Sequence, residues 1–105
     1  MLFTTIRIER PEGTPQLSGV AVQIEQATVD DLARAELDGD RVYDVFWLYT
    51  TQGVPAVPLQ RRDVLFDEQN LDPETSQFAK YRIAGMVETF ASDHQEALIE
   101  RVVGG

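Results

Sequence analysis

The stretch Arg41–Thr50, with the sequence RVYDVFWLYT, decides the predicted fold. Aromatic and β-branched residues dominate it, and such residues favour strands. Apolar side chains fall on both faces of the extended chain, so the strand needs a cover on each side. Another subunit is one candidate for the second cover. The faces carry Val42, Phe46 and Leu48 on one side and Tyr43, Val45, Trp47 and Tyr49 on the other.

Two strands are predicted before this stretch. The first is Leu2–Glu9, LFTTIRIE, and the Pro/Gly-rich segment at 10–19 turns the chain after it. The second lies around 20–25 and alternates between apolar and polar residues, as a half-buried strand does. The side chains expected to face inward are Leu2, Ile6, Ile8, Val20, Val22 and Ile24.

A short helix is predicted between the second strand and Arg41. Thr28 and Asp31 have the spacing of a capping box, and Asp30 and Asp31 complement the positive end of the helix dipole. Asp38-Gly39-Asp40 is expected to end the helix, with Gly39 in the left-handed conformation. The predicted apolar stripe is Val29, Leu32, Ala33 and Leu37.

The second half of the chain predicts a loop and three more strands. Residues 50–59, TTQGVPAVPL, hold too many prolines for a central strand and too many apolar residues for a solvated loop, so we interpret them as a protruding loop or edge arm. The remaining segments are a short strand Asp63–Phe66, an acidic loop Asp67–Gln77, a strand Phe78–Met86, a turn Ala91–His94 and a last strand Glu96–Val103. The predicted fold is mainly β: a small β-barrel or sandwich of about six strands with one short helix.

The composition of the chain narrows the classes of function that the protein can have. The 105 residues form one domain, 1–105, and 43% of them are hydrophobic, as in a globular protein. No uncharged stretch approaches the length of a membrane helix, and the start lacks the pattern of an export signal. A net charge of -9 disfavours tight binding of nucleic acid. The absence of cysteine fits assembly in a reducing compartment and excludes thiolate chemistry.

The sequence offers little catalytic machinery. His94 stands beside Asp93 and near Glu96, which is interpreted as a turn histidine with local hydrogen bonds rather than a general base. The acidic segment that starts at Asp67 places Leu71 where a calcium-binding EF-hand loop needs an oxygen ligand. Phosphate-binding glycine motifs and a nucleophile elbow are absent from the sequence. We therefore predict no catalytic residue, no metal and no cofactor.

Two alternatives of other classes stay open. The chain ends in Gly104-Gly105, and ubiquitin-like sulfur carriers end in a diglycine and also begin with two strands and a helix. The acidic composition also permits an inhibitor that mimics DNA and binds a basic protein.

Taken as a whole, the order of elements resembles the head-closure proteins of tailed bacteriophages, also called head-to-tail joining, connector or stopper proteins. The resemblance covers nearly the whole chain and follows the segments VQIEQATVDDLARAEL, RVYDVFWLYT, RRDVLFDEQNLDPETSQ, KYRIAGMVETF and DHQEALIERV. Its clearest parts are Asp63–Phe66, Asn70–Pro73, Tyr81–Ile83, and His94 with Glu96.

The resemblance implies a structural virion protein without enzymatic activity. Such a subunit forms a cyclic ring, twelvefold or sixfold, with a portal or adaptor protein above it and a tail or tail-terminator protein below. The ring is assembled in the host cytoplasm, closes the DNA-filled head, does not contact a membrane, and lets DNA pass without specific binding. The neighbouring tail-completion or terminator protein of the same neck is the nearest alternative.

The negative charge then has a physical role, because a channel for packaged DNA should repel phosphates. We expect the channel acids to be Asp67, Glu68, Asp72 and Glu74. The arm is expected to plug the channel or bind a partner through Gln52, Val54, Pro55 and Val57.

Overall fold

The described part of the chain forms six strands: β1 (Leu2–Glu9), β2 (Leu17–Gln26), β3 (Val45–Thr50), β4 (Val64–Asp72), β5 (Gln77–Phe90) and β6 (His94–Val102). The computed structural model describes residues 2–10, 17–56, 58–74 and 76–102. All strand pairs are antiparallel, and the sheet closes in the order β1-β2-β3-β6-β5-β4 because β4 pairs with β1. The prediction of a mainly β fold, a small β-barrel or sandwich of about six strands with one short helix, is confirmed, and of the two architectures the structure has the barrel.

The apolar side of each strand fills the barrel. In β1, Ile6 and Ile8 are fully buried whereas Phe3 is 64% exposed, as the alternation predicts. Burial of one such aliphatic side chain contributes about 1.5–3 kcal/mol, which makes this interior the main source of stability. The interior cluster comprises Ile6, Ile8, Val22, Ile24, Leu48, Leu59, Leu65, Ala79, Tyr81, Ala97 and Ile99.

A second apolar cluster lies outside the barrel, beneath helix α1 (Val29–Arg34). The predicted capping box is present: Asp31 N donates to the Thr28 hydroxyl at 3.2 Å, and Thr28 N donates to the Asp31 carboxylate at 2.9 Å. The second cluster comprises Ala27, Leu32, Val45 and Leu98, with Ala35, Leu37, Val42 and Trp47 packed against it. The interior cluster therefore covers one face of β3, and α1 covers Val45 and Trp47 on the other face.

Trp47 connects β3 to the start of this helix. The pKa of Asp31 is lowered mainly by the hydrogen bond from the Thr28 backbone, and a hydrogen bond from the Trp47 side chain lowers it further. On its other side, the Trp47 ring stacks on Tyr49 with centroids 6.3 Å apart. The environment of the indole therefore depends on whether α1 is packed against β3.

The helix ends earlier than predicted. Its C-cap is Ala35, and the left-handed residue is Glu36, with φ 59°, instead of Gly39. Leu37 N donates to Leu32 O at 2.8 Å, and Glu36 N donates to the carbonyl of Ala33 at 3.1 Å. These two bonds form a Schellman motif, in which glycine usually takes the position that Glu36 occupies here. The prediction placed the end at the first available glycine and was wrong for that reason.

A 3-10 helix, Gly39–Asp44, occupies the first part of the segment predicted as the strongest strand. Asp38 starts it by accepting a hydrogen bond from Asp40 N at 3.0 Å. As a result β3 begins at Val45. Tyr43, expected on a covered face of the strand, lies in the 3-10 helix instead and is 83% exposed. Val29 is also exposed, so the predicted helix stripe is correct at Leu32 and Leu37, and wrong at Val29 and Ala33.

β4 continues through most of the segment predicted as an acidic loop. It reaches Asp72, which pairs with Gln77 of β5 across the turn that contains Glu74. A register shift between Asp67 and Leu71 lets the strand continue despite its polar sequence. β5 runs past its predicted end at Met86 to Phe90, and β6 begins at His94 rather than Glu96. Val103, the predicted end of the last strand, lies outside the described residues.

Gly85 lies in a second register shift, between Ile83 and Val87 of β5. A Cβ at Gly85 would stand 3.5 Å from the Ala35 Cβ, an ordinary van der Waals distance, so the end of α1 lies beside β5 at this point. Across the residues that the structure describes, none of the helices has the length and apolar character required to cross a membrane.

Candidate functional site

The predicted arm is a loop between β3 and β4 that folds back onto the barrel. Leu59 is 3% exposed and belongs to the interior cluster. Its backbone N donates to Gln95 Oε1 at 2.7 Å, and Gln95 Nε2 donates to its carbonyl at 3.4 Å. The second half of the arm is therefore anchored rather than protruding. Of its four candidate residues, Gln52 is exposed, Val54 and Pro55 are half-buried, and Val57 lies outside the described residues.

A buried ion pair fixes the end of the arm. Arg10 Nε donates to Asp63 Oδ1 at 2.8 Å, and the Asp63 side chain is fully buried. Gln60 N donates to Asp63 Oδ2 at 2.8 Å, while the Arg10 guanidinium also donates to the Pro58 carbonyl. Sequence reasoning did not single out Arg10, Asp63 or Gln95 as anchors, because their partners are distant in the chain and no local spacing marks them.

The first half of the arm lies beside the β5–β6 turn. Gly53 has φ 84°, and a Cβ there would stand 3.6 Å from the carbonyl of Ser92. The positive φ favours glycine at this position. The arm and the turn 91–93 together form one end of the barrel, which we call the arm end.

His94 borders the arm end with both ring nitrogens engaged. Nδ1 lies 2.7 Å from Asp93 Oδ2, and Nε2 lies 2.8 Å from Glu96 Oε2. The ring stacks on Phe90 at a centroid distance of 4.8 Å and an interplanar angle of 8°. The predicted local hydrogen bonding of a turn histidine is confirmed. With both nitrogens bonded, the imidazole is held as a structural clamp across the turn.

This clamp makes stability depend on pH. Hydrogen bonds with Glu96 and then Asp93 raise the pKa of His94 above its usual 6.5. A raised pKa in the folded state means that the stabilisation is fully present below about pH 6.5 and is lost as the pH rises through the raised value. We expect the stability advantage of wild type over His94→Gln to shrink across that interval. Urea unfolding of both proteins at a series of pH values measures it, and a difference that does not vary with pH would contradict the prediction.

Tyr49 pairs with Glu96, the partner of His94, and lies on the outside of the barrel. Burial, followed by the charges of Glu25 and Glu96, raises its pKa to about 12. Its hydroxyl donates to Glu25 Oε1 at 3.5 Å. The phenol therefore stays neutral at physiological pH and holds the carboxylate of the neighbouring strand.

Asp67 is not a channel residue. It lies within β4 and is 1% exposed, so it cannot line a surface along which DNA slides. The Thr4 hydroxyl donates to its Oδ1 at 2.5 Å, and Gln69 N donates to the same oxygen at 3.0 Å. Its other oxygen, Oδ2, is buried without a hydrogen-bond partner among the described residues. The prediction was wrong because a polar residue in an acidic stretch was assumed to be exposed.

Replacing Asp67 with asparagine should stabilise the protein. The amide retains an oxygen for Thr4 and Gln69, and it puts an uncharged group where a carboxylate is buried with one oxygen unpartnered among the described residues. We expect the free energy of unfolding to rise by about 1 kcal/mol, on the scale of one buried polar contact. Chemical denaturation at neutral pH measures this, and a loss of stability would show that the carboxylate has a necessary partner.

The other three candidate acids are spread along β4 and the turn that follows it. Glu68 is half-buried, and its Oε1 accepts a hydrogen bond from Gly19 N at 2.7 Å. Asp72 ends β4, its side chain lies outside what the structure describes, and Glu74 is exposed in the following turn. The arm precedes β4 and this turn follows it. Since the nine residues of β4 span about 30 Å, the arm and the acidic turn lie at opposite ends of the barrel.

Two further features of the sequence are the acidic residues, as possible metal ligands, and the terminal diglycine. Within ranges 2–10, 17–56, 58–74 and 76–102, no three histidine, aspartate or glutamate side chains converge to hold a metal ion. The terminal Gly104-Gly105 lies outside the described residues.

Comparison of the chain with known protein families, with curated proteins and with solved structures finds no match.

Proposed function

We propose that the protein is a structural component of a tailed-bacteriophage neck, where it forms a ring between the portal or adaptor and the tail. The ring closes the DNA-filled head and provides the attachment site for the tail. The observation that carries this proposal is the separation of two different surfaces by the length of β4: the arm end, with its anchored loop, and the acidic turn that contains Glu74. A subunit that joins two different structures needs one contact surface at each end.

The state of the polar residues supports a role in contact rather than in catalysis. His94 is clamped by two carboxylates, and the Tyr49 hydroxyl donates to the Glu25 carboxylate at 3.5 Å. In contrast, Phe3, Tyr43 and Phe90 expose 64%, 83% and 42% of their area on the outside of the barrel. Exposed aromatic residues are enriched at protein interfaces.

Imaging with virus particles tests the proposal. The protein is mixed with DNA-filled, tailless capsids of the phage that encodes it and viewed by negative-stain electron microscopy. We expect density at a single vertex of each capsid. Capsids without decoration would contradict a neck role, and decoration of tail ends alone would assign the protein to the neighbouring terminator position.

Two variants test whether the two ends of the barrel bind different partners. Val54→Asp alters the arm end, and Glu74→Lys alters the acidic turn. Each variant should lose binding to only one of the two partners, capsid or purified tail, and retain the other. Loss of both partners with either variant, in protein that remains folded by circular dichroism, would contradict the two-ended arrangement.

The proposed acidic channel leads to a further prediction. Asp67 is left out of it because this residue is buried. Changing Glu68, Asp72 and Glu74 to lysine should slow DNA release severalfold, because a basic lining retains the duplex by releasing counterions. The measurement is the rate of DNA ejection from assembled particles. The neutral variants Glu68→Gln, Asp72→Asn and Glu74→Gln serve as the control, since they remove charge without reversing it. An unchanged rate in the lysine variant would exclude these residues from the channel.

A further inference from the structure

The surface between β2 and β3 is strongly acidic. Residues 28–44 hold six carboxylates against two arginines, a net charge of -4. One of those arginines, Arg34, is bonded to Asp31 at 2.8 Å. The most exposed large apolar residue of the described chain, Tyr43, lies in the same segment. We call this region the acidic helical surface; its exposed carboxylates are Asp30, Glu36, Asp38, Asp40 and Asp44.

A row of opposite character crosses β1, β4 and β5. Across the paired strands, Arg7 lies opposite Phe66, and Phe66 lies opposite Lys80. The residues before and after each of them along its strand are buried in the barrel, so these three side chains point outward. The Arg7 guanidinium carbon lies 4.7 Å from the centre of the Phe66 ring. In the described part of the chain, Lys80 has no carboxylate within salt-bridge distance, while Arg7 is bonded to Glu9 at 2.8 Å. We call Arg7, Phe66 and Lys80 the basic strip.

The strand order places these two surfaces on opposite sides of the barrel. In a closed ring of six strands, β4 stands across from β3 and β1 stands across from β6. The acidic helical surface covers β3 and β6, since Leu32 packs on Val45 and Leu98. The basic strip is centred on β4. One chain therefore cannot bring its own two surfaces together, whereas two copies can.

We propose that the acidic helical surface of one copy docks on the basic strip of the next copy. This inference rests on the ring of the proposed function and specifies how neighbouring subunits meet. The contact is heterologous, because different patches meet, and such contacts repeated by rotation generate rings. Complementary charge identifies the occupant as a second copy, and Tyr43 supplies an aromatic ring for Arg7 and Phe66.

The single lysine of the chain permits a direct test. A carbodiimide joins a lysine amine to a carboxylate without a spacer, so Lys80 is the only side-chain amine available. Unlabelled and ¹⁵N-labelled protein are mixed at high concentration and low salt, treated with carbodiimide, digested and analysed by mass spectrometry. We expect mixed-isotope peptides that join Lys80 to a carboxylate within 30–44, with a severalfold lower yield at high salt because ions screen the contact.

Matched variants define the outcome. Lys80→Arg should retain association, measured by sedimentation, and lose the cross-link. Arg61→Glu, which makes the same charge change as Lys80→Glu at an exposed loop position, should leave the cross-link intact. Absence of mixed-isotope Lys80 peptides from wild type, or attachment of Lys80 mainly to carboxylates outside 30–44, would overturn the proposal.

Charge-reversal variants test which surface of one copy meets which surface of the next. Lys80→Glu alone and the double variant Asp40→Lys with Asp44→Lys should each associate at least tenfold more weakly than wild type. An equal mixture of the two should recover association, because the positive charges introduced at 40 and 44 then face the negative charge introduced at 80. Failure of the mixture to recover would refute the pairing of these surfaces. Cross-linking without decoration of capsids would leave this contact standing and refute the neck role, and the reverse result would refute only the contact.

Discussion

Replacing Leu48 with alanine is expected to lower the free energy of unfolding by about 3 kcal/mol. Leu48 is fully buried at the centre of β3 and belongs to the interior cluster. The truncation removes apolar contacts and leaves a cavity, because a closed barrel cannot collapse around the gap without disturbing strand pairing on both sides. Urea or thermal unfolding followed by circular dichroism measures the loss.

Leu71→Ala is the matched control for this prediction. Leu71 lies in β4 but exposes 54% of its area, so the same change in side chain should cost less than about 1 kcal/mol. Equal losses for the two variants would mean that the interior cluster does not dominate stability.

Asp63→Ala is expected to be comparably damaging, with a loss of about 3–5 kcal/mol. The Asp63 side chain is fully buried, and its removal leaves the Arg10 guanidinium, which is only 16% exposed, without its carboxylate. The Gln60 amide loses its acceptor at the same time. Because these bonds fix the end of the arm, limited proteolysis should also cut the arm faster in this variant.

The exposed pair Arg34–Asp31 provides the comparison for the buried one. The Arg34 side chain is 76% exposed, and such surface pairs contribute about 0–1 kcal/mol, so Arg34→Ala should be nearly neutral. A double-mutant cycle with Arg10→Ala and Asp63→Ala isolates the coupling between the buried partners. A coupling energy close to zero would show that the arm is held by Leu59 and Gln95 alone.

Local patterns predicted the parts of the fold that local physics determines. The alternation in LFTTIRIE identified the buried side of β1, and the spacing of Thr28 and Asp31 identified the start of α1. The end of α1 was missed because Glu36 adopts a backbone conformation that usually requires glycine. No pattern of side-chain character marks such a residue, since backbone closure by the Leu37 amide makes it tolerable.

The continuation of β4 was missed for a different reason. Periodicity treats an aspartate as exposed, whereas Asp67 is buried and bonded to Thr4, 63 residues earlier in the chain. That contact exists only after the barrel closes through β1 and β4. The same limitation applies to the candidate site: the acids were assigned to the channel, and the arm to a channel plug or a partner contact, from residue character alone, whereas β4 separates the arm from the acidic turn.

The position of Trp47 makes unfolding observable in two parts. It is the only tryptophan of the chain, and it packs against the apolar cluster beneath α1, where its side chain also lowers the pKa of Asp31. Its fluorescence emission should therefore shift when the helix lifts off β3, whereas far-ultraviolet circular dichroism follows loss of the strands. Coincident transitions by the two signals would indicate one cooperative unit, and an earlier shift in emission would show that the helix is released while the barrel persists.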